Sequence, residues 1–265
     1  MDTSRAARPR LHWLWFVLIG LAAGFLSGLF GVGGGIIIVP ALVIAAGFDQ
    51  RLAAGTSLAA IVPTATVGVI SYATTGSVNW LAAGILAIGS VVGAQIGSHL
   101  LARLPKRVIQ WSFIGFIAIV IVSLFLVIPS RDAELEFTVL STIGLVVLGL
   151  VVGVLAGILG IGGGVIIVPV LILLFGASDL VAKGTSLLMM IPTAISGTIG
   201  NVRRKNVDLR AAIVIGVAAC TTTALGAIVA ASITPVVANV LFAGFLIAVA
   251  IQLIVRATRK PKPAA

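Results

Sequence analysis

The chain has 265 residues, of which 60% are hydrophobic and 9% charged, with 31 glycines and a mean hydropathy of +1.27. A water-soluble domain is about 25% charged, so this composition excludes a globular fold in water and calls for lipid as the solvent. The net charge of +10 does not mark a nucleic-acid partner, because the Lys and Arg residues stand in short clusters between apolar runs, as loops do at one membrane face.

The first cluster, Arg5, Arg8 and Arg10, precedes an apolar run over roughly 12–30. Taken alone, this start has the form of a signal peptide. The run belongs to an internal repeat, however, and is therefore read as a retained membrane segment. Gly31-Val-Gly33-Gly34-Gly35-Ile-Ile-Ile-Val-Pro40-Ala-Leu42 returns as Gly160-Ile-Gly162-Gly163-Gly164-Val-Ile-Ile-Val-Pro169-Val-Leu171, nine identities in twelve at an offset of 129. The same offset, without a gap, pairs Gly24 with Gly153, Gly28 with Gly157, Gly55-Thr56-Ser57 with Gly184-Thr185-Ser186, Pro63-Thr64 with Pro192-Thr193, and Gly97 with Gly226. The chain is a duplication.

Each half holds five apolar runs: 12–30, 31–48, 55–75, 78–102 and 107–129, then 137–159, 160–177, 184–202, 208–231 and 235–256. The expected class is all-α, a polytopic membrane protein of two repeats, 12–129 and 137–257. An outer linker at 130–136 joins them, and cytoplasmic tails at 1–11 and 258–265 flank them. Five is odd, so the second repeat is expected upside down relative to the first, as in many secondary transporters. Charge agrees: Arg103, Lys106 and Arg107 align with the uncharged 232–236, and Arg203, Arg204 and Lys205 align with the uncharged 74–76. With both termini cytoplasmic, only Arg131 and Lys183 fall outside, against fifteen Lys and Arg inside. Five full crossings per half are preferred. A first and second run that form a hairpin with its tip at mid-membrane would give the same charge count.

The glycine motifs expose backbone N–H groups where a helix begins, and such a start favours an anion. Gly31, Gly33, Gly34 and Gly35, with Gly160, Gly162, Gly163 and Gly164, are therefore candidate binding residues. A tight turn between close-packed helices is the bland alternative, suggested by Gly20, Gly24 and Gly28 at four-residue spacing. Thr56, Ser57, Thr185 and Ser186 can cap helices or donate to a substrate. Pro63 and Pro192, seven residues after each Thr, break a helix ladder and free a carbonyl. Lys183 reads as an interfacial lysine with its head in water, and His99 as interfacial near Arg103. All seven acidic residues read as lying in tails, loops or run edges, so no carboxylate is expected at mid-membrane for a cation. No cofactor or metal set is expected, since Cys220 is the only cysteine and His12 and His99 cannot form a ligand set by themselves. An enzyme is disfavoured for want of a nucleophile with a base. A passive channel or a carrier of another small anion or neutral solute is the alternative, and a homo-oligomer is left open.

The duplicated G-x-G-G-G-x-x-x-x-P at 31–40 and 160–169, with Gly-Thr-Ser at 55–57 and 184–186, resembles the TauE/SafE-type sulfite exporters, also called the sulfonate uptake permease family, over about 14–256. The resemblance implies a multi-pass carrier of small sulfur-containing anions across the bacterial cytoplasmic membrane, driven by the proton gradient. Topology is directly testable. Cysteine labelling from outside is expected to reach 130–136 and to miss 103–107 and 203–205, and labelling of the two basic loops would overturn the inverted plan.

Overall fold

A computed structural model describes residues 12–126 and 138–258, which leaves the two tails and the 130–136 linker outside the described residues. All regular structure there is helical: α1 (His12–Phe30), α2 (Gly35–Ala45), α3 (Gln50–Ala73), α4 (Trp80–Arg103), α5 (Lys106–Leu126), α6 (Val139–Leu159), α7 (Gly164–Phe175), α8 (Asp179–Arg203), α9 (Leu209–Ser232) and α10 (Pro235–Thr258). Lipid offers no partner to a free N–H or C=O, so helices, which satisfy these groups internally, are the form such runs take. Seven of them, α1, α3, α4, α6, α8, α9 and α10, are long and apolar enough to cross a membrane.

α2 and α7, with 11 and 12 residues, are about 17–18 Å long against a hydrocarbon core of about 30 Å. The runs 31–48 and 160–177 are thus not full crossings, contrary to the five-plus-five preference. Their first residues are spent on turns: Gly33 and Gly34 hold φ of 70° and 74°, and Gly162 and Gly163 hold 77° and 94°. That left-handed backbone cannot continue a helix and suits only residues without a Cβ. An added methyl at Gly33 or at Gly162 would meet the same two side chains, Ile61 and Met190. Each is the twelfth residue of its helix, α3 having 24 residues and α8 having 25. The hairpins α1–α2 and α6–α7 therefore turn halfway along α3 and α8.

Packing repeats under exchange of the halves. α1 lies on α9 as α6 lies on α4, α3 lies on α9 as α8 lies on α4, and α3 meets α8. Gly55 near the start of α3 abuts the Asn206 carbonyl beyond the end of α8, and Gly184 abuts the Ser77 carbonyl beyond the end of α3. α3 and α8 consequently run antiparallel. Between helices in lipid there is little hydrophobic driving force, so close backbone approach through small residues supplies the attraction. Gly89, Gly93 and Gly97 of α4 face the carbonyls of Val146, Leu150 and Val154, while Gly149, Gly153 and Gly157 of α6 face those of Leu86, Ser90 and Ala94. Gly20, Gly24 and Gly28 do the same on α9. Large apolar side chains such as Leu140, Ile213 and Ile119 stay exposed as the lipid-facing surface.

Basic groups gather at one end. Arg51 donates through Nη2 to the Leu104 carbonyl at 2.8 Å, and Arg204 reaches Ser98 Oγ at 3.2 Å and His99 Nδ1 at 3.3 Å. His99 is exposed there. Lys183 departs from expectation: it is 5% exposed and stands 3.4 Å from Asp179, itself 2% exposed. α8 starts at Asp179 and not near 184, so Lys183 lies within the helix, while Asp179 is its first residue, a buried carboxylate at the edge of the run.

The interlocked glycines make a prediction on one helix. Gly93→Leu is expected to force α4 from α6, at about 1–3 kcal/mol or more for an overpacked contact. Gly84→Leu, where a side chain has open space, is expected to be tolerated. Thermal unfolding of the purified protein in detergent compares the two, and equal stability would contradict the close α4–α6 seam.

Candidate functional site

The two glycine turns come together. Gly35 lies against the Gly160 carbonyl and Ile161, and Gly164 lies against the Gly31 carbonyl at 2.5 Å from its would-be Cβ. Gly34 and Gly163 cap α2 and α7, each accepting through its carbonyl from two amides, those of Ile37 and Ile38 and those of Ile166 and Ile167. The first N–H groups of an α-helix have no acceptor within the helix. Two such helix starts, each with a partial positive charge, thus meet midway between α3 and α8, flanked by the carbonyl ends of α1 and α6.

The serines answer those carbonyl ends. Ser57 Oγ donates to the Gly160 carbonyl at 2.7 Å, and Ser186 Oγ donates to the Gly31 carbonyl at 3.0 Å. Each bond runs from one half to the other half's glycine motif. The threonines do something different. Thr56 Oγ1 accepts from the Asp208 amide at 2.9 Å, and Thr185 Oγ1 accepts from the Asn79 amide at 3.0 Å. They fix the starts of α9 and α4 at opposite ends of the bundle. All four hydroxyl residues are fully buried. Of the four candidate hydroxyl residues, the two serines therefore sit at the glycine turns, and the two threonines hold helix starts of the other half.

Pro63 lies toward α9, 2.8 Å from the would-be Cβ of Gly216. It and Pro192 are half-buried. Next to each, a hydroxyl turns back to the carbonyl four residues earlier: Thr64 to Ala60 at 2.9 Å and Thr193 to Met189 at 2.8 Å. Thr193 also meets Ser90 Oγ of α4 at 2.6 Å. Met190 fills the gap between the glycine turns, with its Sδ 3.9 Å from Ser186 Oγ. A flexible thioether suits an irregular space.

Sequence reasoning passed over Met190 and Ile61, which look like ordinary apolar positions, although they are equivalents at the 129 offset on which both turns converge. It passed over Ser90 for the same want of a motif. Cavities of about 530 Å³, lined in part by Trp13, Asp49, Asp208 and Arg210, and about 390 Å³, lined in part by Tyr72, Thr75 and Leu180, lie at opposite ends of the bundle. Among the described residues no cluster of His, Cys, Asp and Glu could hold a metal ion.

Duplicated membrane helices broken by glycine around a buried central polar junction define a multi-pass membrane transporter. The chain belongs to the TauE/SafE sulfite exporter family, whose model, described as "Sulfite exporter TauE/SafE", matches residues 2–124 and 145–265. A probable membrane transporter protein of Xylella fastidiosa (strain 9a5c) is 31% identical over 243 residues, 89% of this chain and 93% of that protein. The probable membrane transporter protein YunE of Bacillus subtilis is 28% identical over 215 residues, 72% of this chain and 78% of its own. YdhB of the same organism, also a probable membrane transporter protein, is 28% identical over 199 residues, 72% of this chain and 80% of its own. No solved structure matches the chain.

The reciprocal serine bonds carry their own prediction. Ser57→Ala and Ser186→Ala each leave a buried carbonyl without its donor, at about 1–3 kcal/mol. Thermal unfolding is expected to fall by similar amounts in the two variants, because the bonds are equivalents. A loss in only one would show that the halves do not depend on each other equally.

Proposed function

We propose that this protein is a secondary transporter that moves a small sulfur-containing anion, such as sulfite or an organosulfonate, across the cytoplasmic membrane, with its termini inside. The observation that carries the reading is the meeting of two helix starts, α2 and α7, at the buried midpoint of α3 and α8. Ser57 and Ser186 hydrogen-bond the neighbouring carbonyl ends, so the negative poles of α1 and α6 are quenched while the positive poles of α2 and α7 keep their N–H donors. An anion with several oxygens relieves two like partial charges held together in a medium of low dielectric.

The binding set is then the N–H groups of Gly33, Gly34 and Gly35 and of Gly162, Gly163 and Gly164. Gly31 and Gly160 shape the turns, and the hydroxyls of Ser57 and Ser186, whose single protons go to the Gly160 and Gly31 carbonyls, hold those turns in place. Thr56, Thr185, Pro63 and Pro192 position helices around it. The inverted arrangement of the repeats about the membrane plane belongs to this proposal, supported by the antiparallel α3 and α8 and by the basic loops gathered at one end. Because the residues of both glycine turns are buried in this conformation, the proposed passage of substrate requires the turns to part from Met190, as in a carrier and not in an open pore. The chemistry at the junction is binding without bond making, so the proposed role is transport alone.

Proteoliposomes test the proposal with sulfite, a short alkylsulfonate, thiosulfate, sulfate and a neutral solute. Saturable flux of a sulfur anion is expected, and the Gly34→Ala/Gly163→Ala double variant is expected to lower it by about tenfold or more per unit of folded protein, since each Ala must adopt a left-handed backbone at about 1–2 kcal/mol and crowds the donors. Gly47→Ala, at φ 67° with open space around it, controls for backbone strain alone. Non-saturable flux in the wild type, or wild-type flux in the folded double variant, would overturn the reading.

A further inference from the structure

The two ends of the bundle are built alike and lined differently. The cavity of about 390 Å³ at the end away from the basic loops is bordered in part by Tyr72 and Thr75 at the end of α3, by Leu180 of α8, and by Ala224, Ala227 and Ile228 of α9. The 129 offset carries these six positions to Asn201, Arg204, Arg51, Gln95, Ser98 and His99. Packing confirms the equivalence, since Asn201 abuts Gly55 as Tyr72 abuts Gly184. The same place in the fold is thus lined once by mostly apolar residues and once by two arginines, a histidine and three further polar side chains.

At the basic end the cations are held by neutral groups. Arg204 is half-buried; its Nη1 donates to Ser98 Oγ at 3.2 Å and to the Gly200 carbonyl at 2.6 Å, and its Nη2 lies 3.3 Å from His99 Nδ1. Arg51, also half-buried, spends Nη2 on the Leu104 carbonyl, and its Nε is buried without a hydrogen-bond partner. Among the described residues no ion pair joins either arginine to a carboxylate. Basic residues that only set topology keep their heads in water, whereas a cation drawn into the bundle marks an ion pathway. Folding does not demand these two, because Thr75 and Leu180 occupy the same positions in the other half.

A polar seam runs from this mouth between α4 and α8 to the junction of helix starts. Ser98 donates to the Gln95 carbonyl at 3.0 Å, Gln95 Nε2 to Ser196 Oγ at 3.0 Å, and Ser196 to the Val91 carbonyl at 2.8 Å. Ser90 and Thr193, 2.6 Å apart, bring the line to within a turn of Met190. The equivalent seam between α3 and α9 has Ala227, Ala224, Val67 and Ala219 at the positions of Ser98, Gln95, Ser196 and Ser90, and its helices pack in the same way. We propose that Arg51 and Arg204, with the Ser98 hydroxyl, form a second anion site at the basic mouth of the α4–α8 seam, which takes the oxyanion group of the substrate on its passage between water and the junction. This rests on the anion-carrier reading above. A guanidinium fork matches two oxygens of one sulfite or sulfonate group, Arg51 has a donor to spare, and a cleft lined by one sign of charge concentrates its counter-ion.

The test uses full-length protein in phosphatidylcholine liposomes, with radiolabelled sulfite and ethanesulfonate each supplied alone. Arg51→Leu/Arg204→Thr copies the residues of the equivalent positions and is expected to keep the wild-type melting temperature. Its KM for both anions is expected to rise by about tenfold or more, the scale of one lost charge-assisted contact, with a much smaller change in maximal rate. Arg204→Lys, which keeps the charge and loses the fork, is expected to raise KM several-fold even if the double variant does not fold. Arg103→Ser removes an exposed charge at the same end, copies Ser232, and is expected to leave KM unchanged. A wild-type KM in the Arg204 variants would overturn the proposal. An equal rise in Arg103→Ser would overturn it in favour of a general surface potential, and a rise that appears only after phosphatidylglycerol is added would overturn it in favour of lipid headgroups. Saturable wild-type flux with unshifted variants removes this proposal alone, whereas a wild type that carries neither anion removes the carrier reading with it.

Discussion

Irregular backbone in lipid must find its hydrogen-bond partners inside the protein, and the architecture turns on how that demand is met at the glycine turns. A turn at mid-membrane leaves carbonyls at the end of one helix and amides at the start of the next, at a depth where water is absent. Here the carbonyl ends are met by serines of the opposite half, Ser57 for Gly160 and Ser186 for Gly31. Each turn is also roofed by the other: Gly35 sits on Gly160, and Gly164 sits on Gly31. Neither repeat closes its own polar groups. The antiparallel packing of α3 on α8 follows, since only a reversed partner brings each serine to the other half's turn.

That dependence explains why small residues dominate where the halves meet. To bring two turns into contact, the flanking helices must approach at backbone distance, and the glycines of α1, α4 and α6 allow it along three turns of each helix. Specificity of pairing is steric and not hydrophobic, because the lipid competes for any apolar face. The Thr caps extend the same logic to the bundle ends. Thr56 and Thr185 hold the first residues of helices in the other repeat, so the halves are stitched at the centre and at both surfaces.

Much of this was legible in the chain as written. The 129-residue offset exposes the duplication, the ten apolar runs and the pairing of Gly-Thr-Ser with the glycine motif. Hidden features had physical reasons. The runs at 31–48 and 160–177 are apolar throughout, so composition does not show that their first residues form turns and that half of a crossing is missing. A Thr and a Ser adjacent in sequence point in different directions on a helix, about 100° apart, and which of them meets the turn depends on a partner more than a hundred residues away. The burial of Lys183 was hidden because its repeat equivalent, Ala54, carries no charge, and its pairing with Asp179 at the first residue of α8 depends on how the bundle packs.

The Ser186 bond to the Gly31 carbonyl also bears on how the chain is made. The partners are 155 residues apart, and at about 5–20 residues per second of synthesis the α1–α2 turn waits on the order of ten to thirty seconds for its donor. During that interval its unpaired carbonyls cannot rest in hydrocarbon. The α1–α2 turn therefore gains its partner at mid-membrane only once α8 has emerged, although it was translated first. Settling of the first repeat thus waits on a helix of the second, out of step with the order of the sequence.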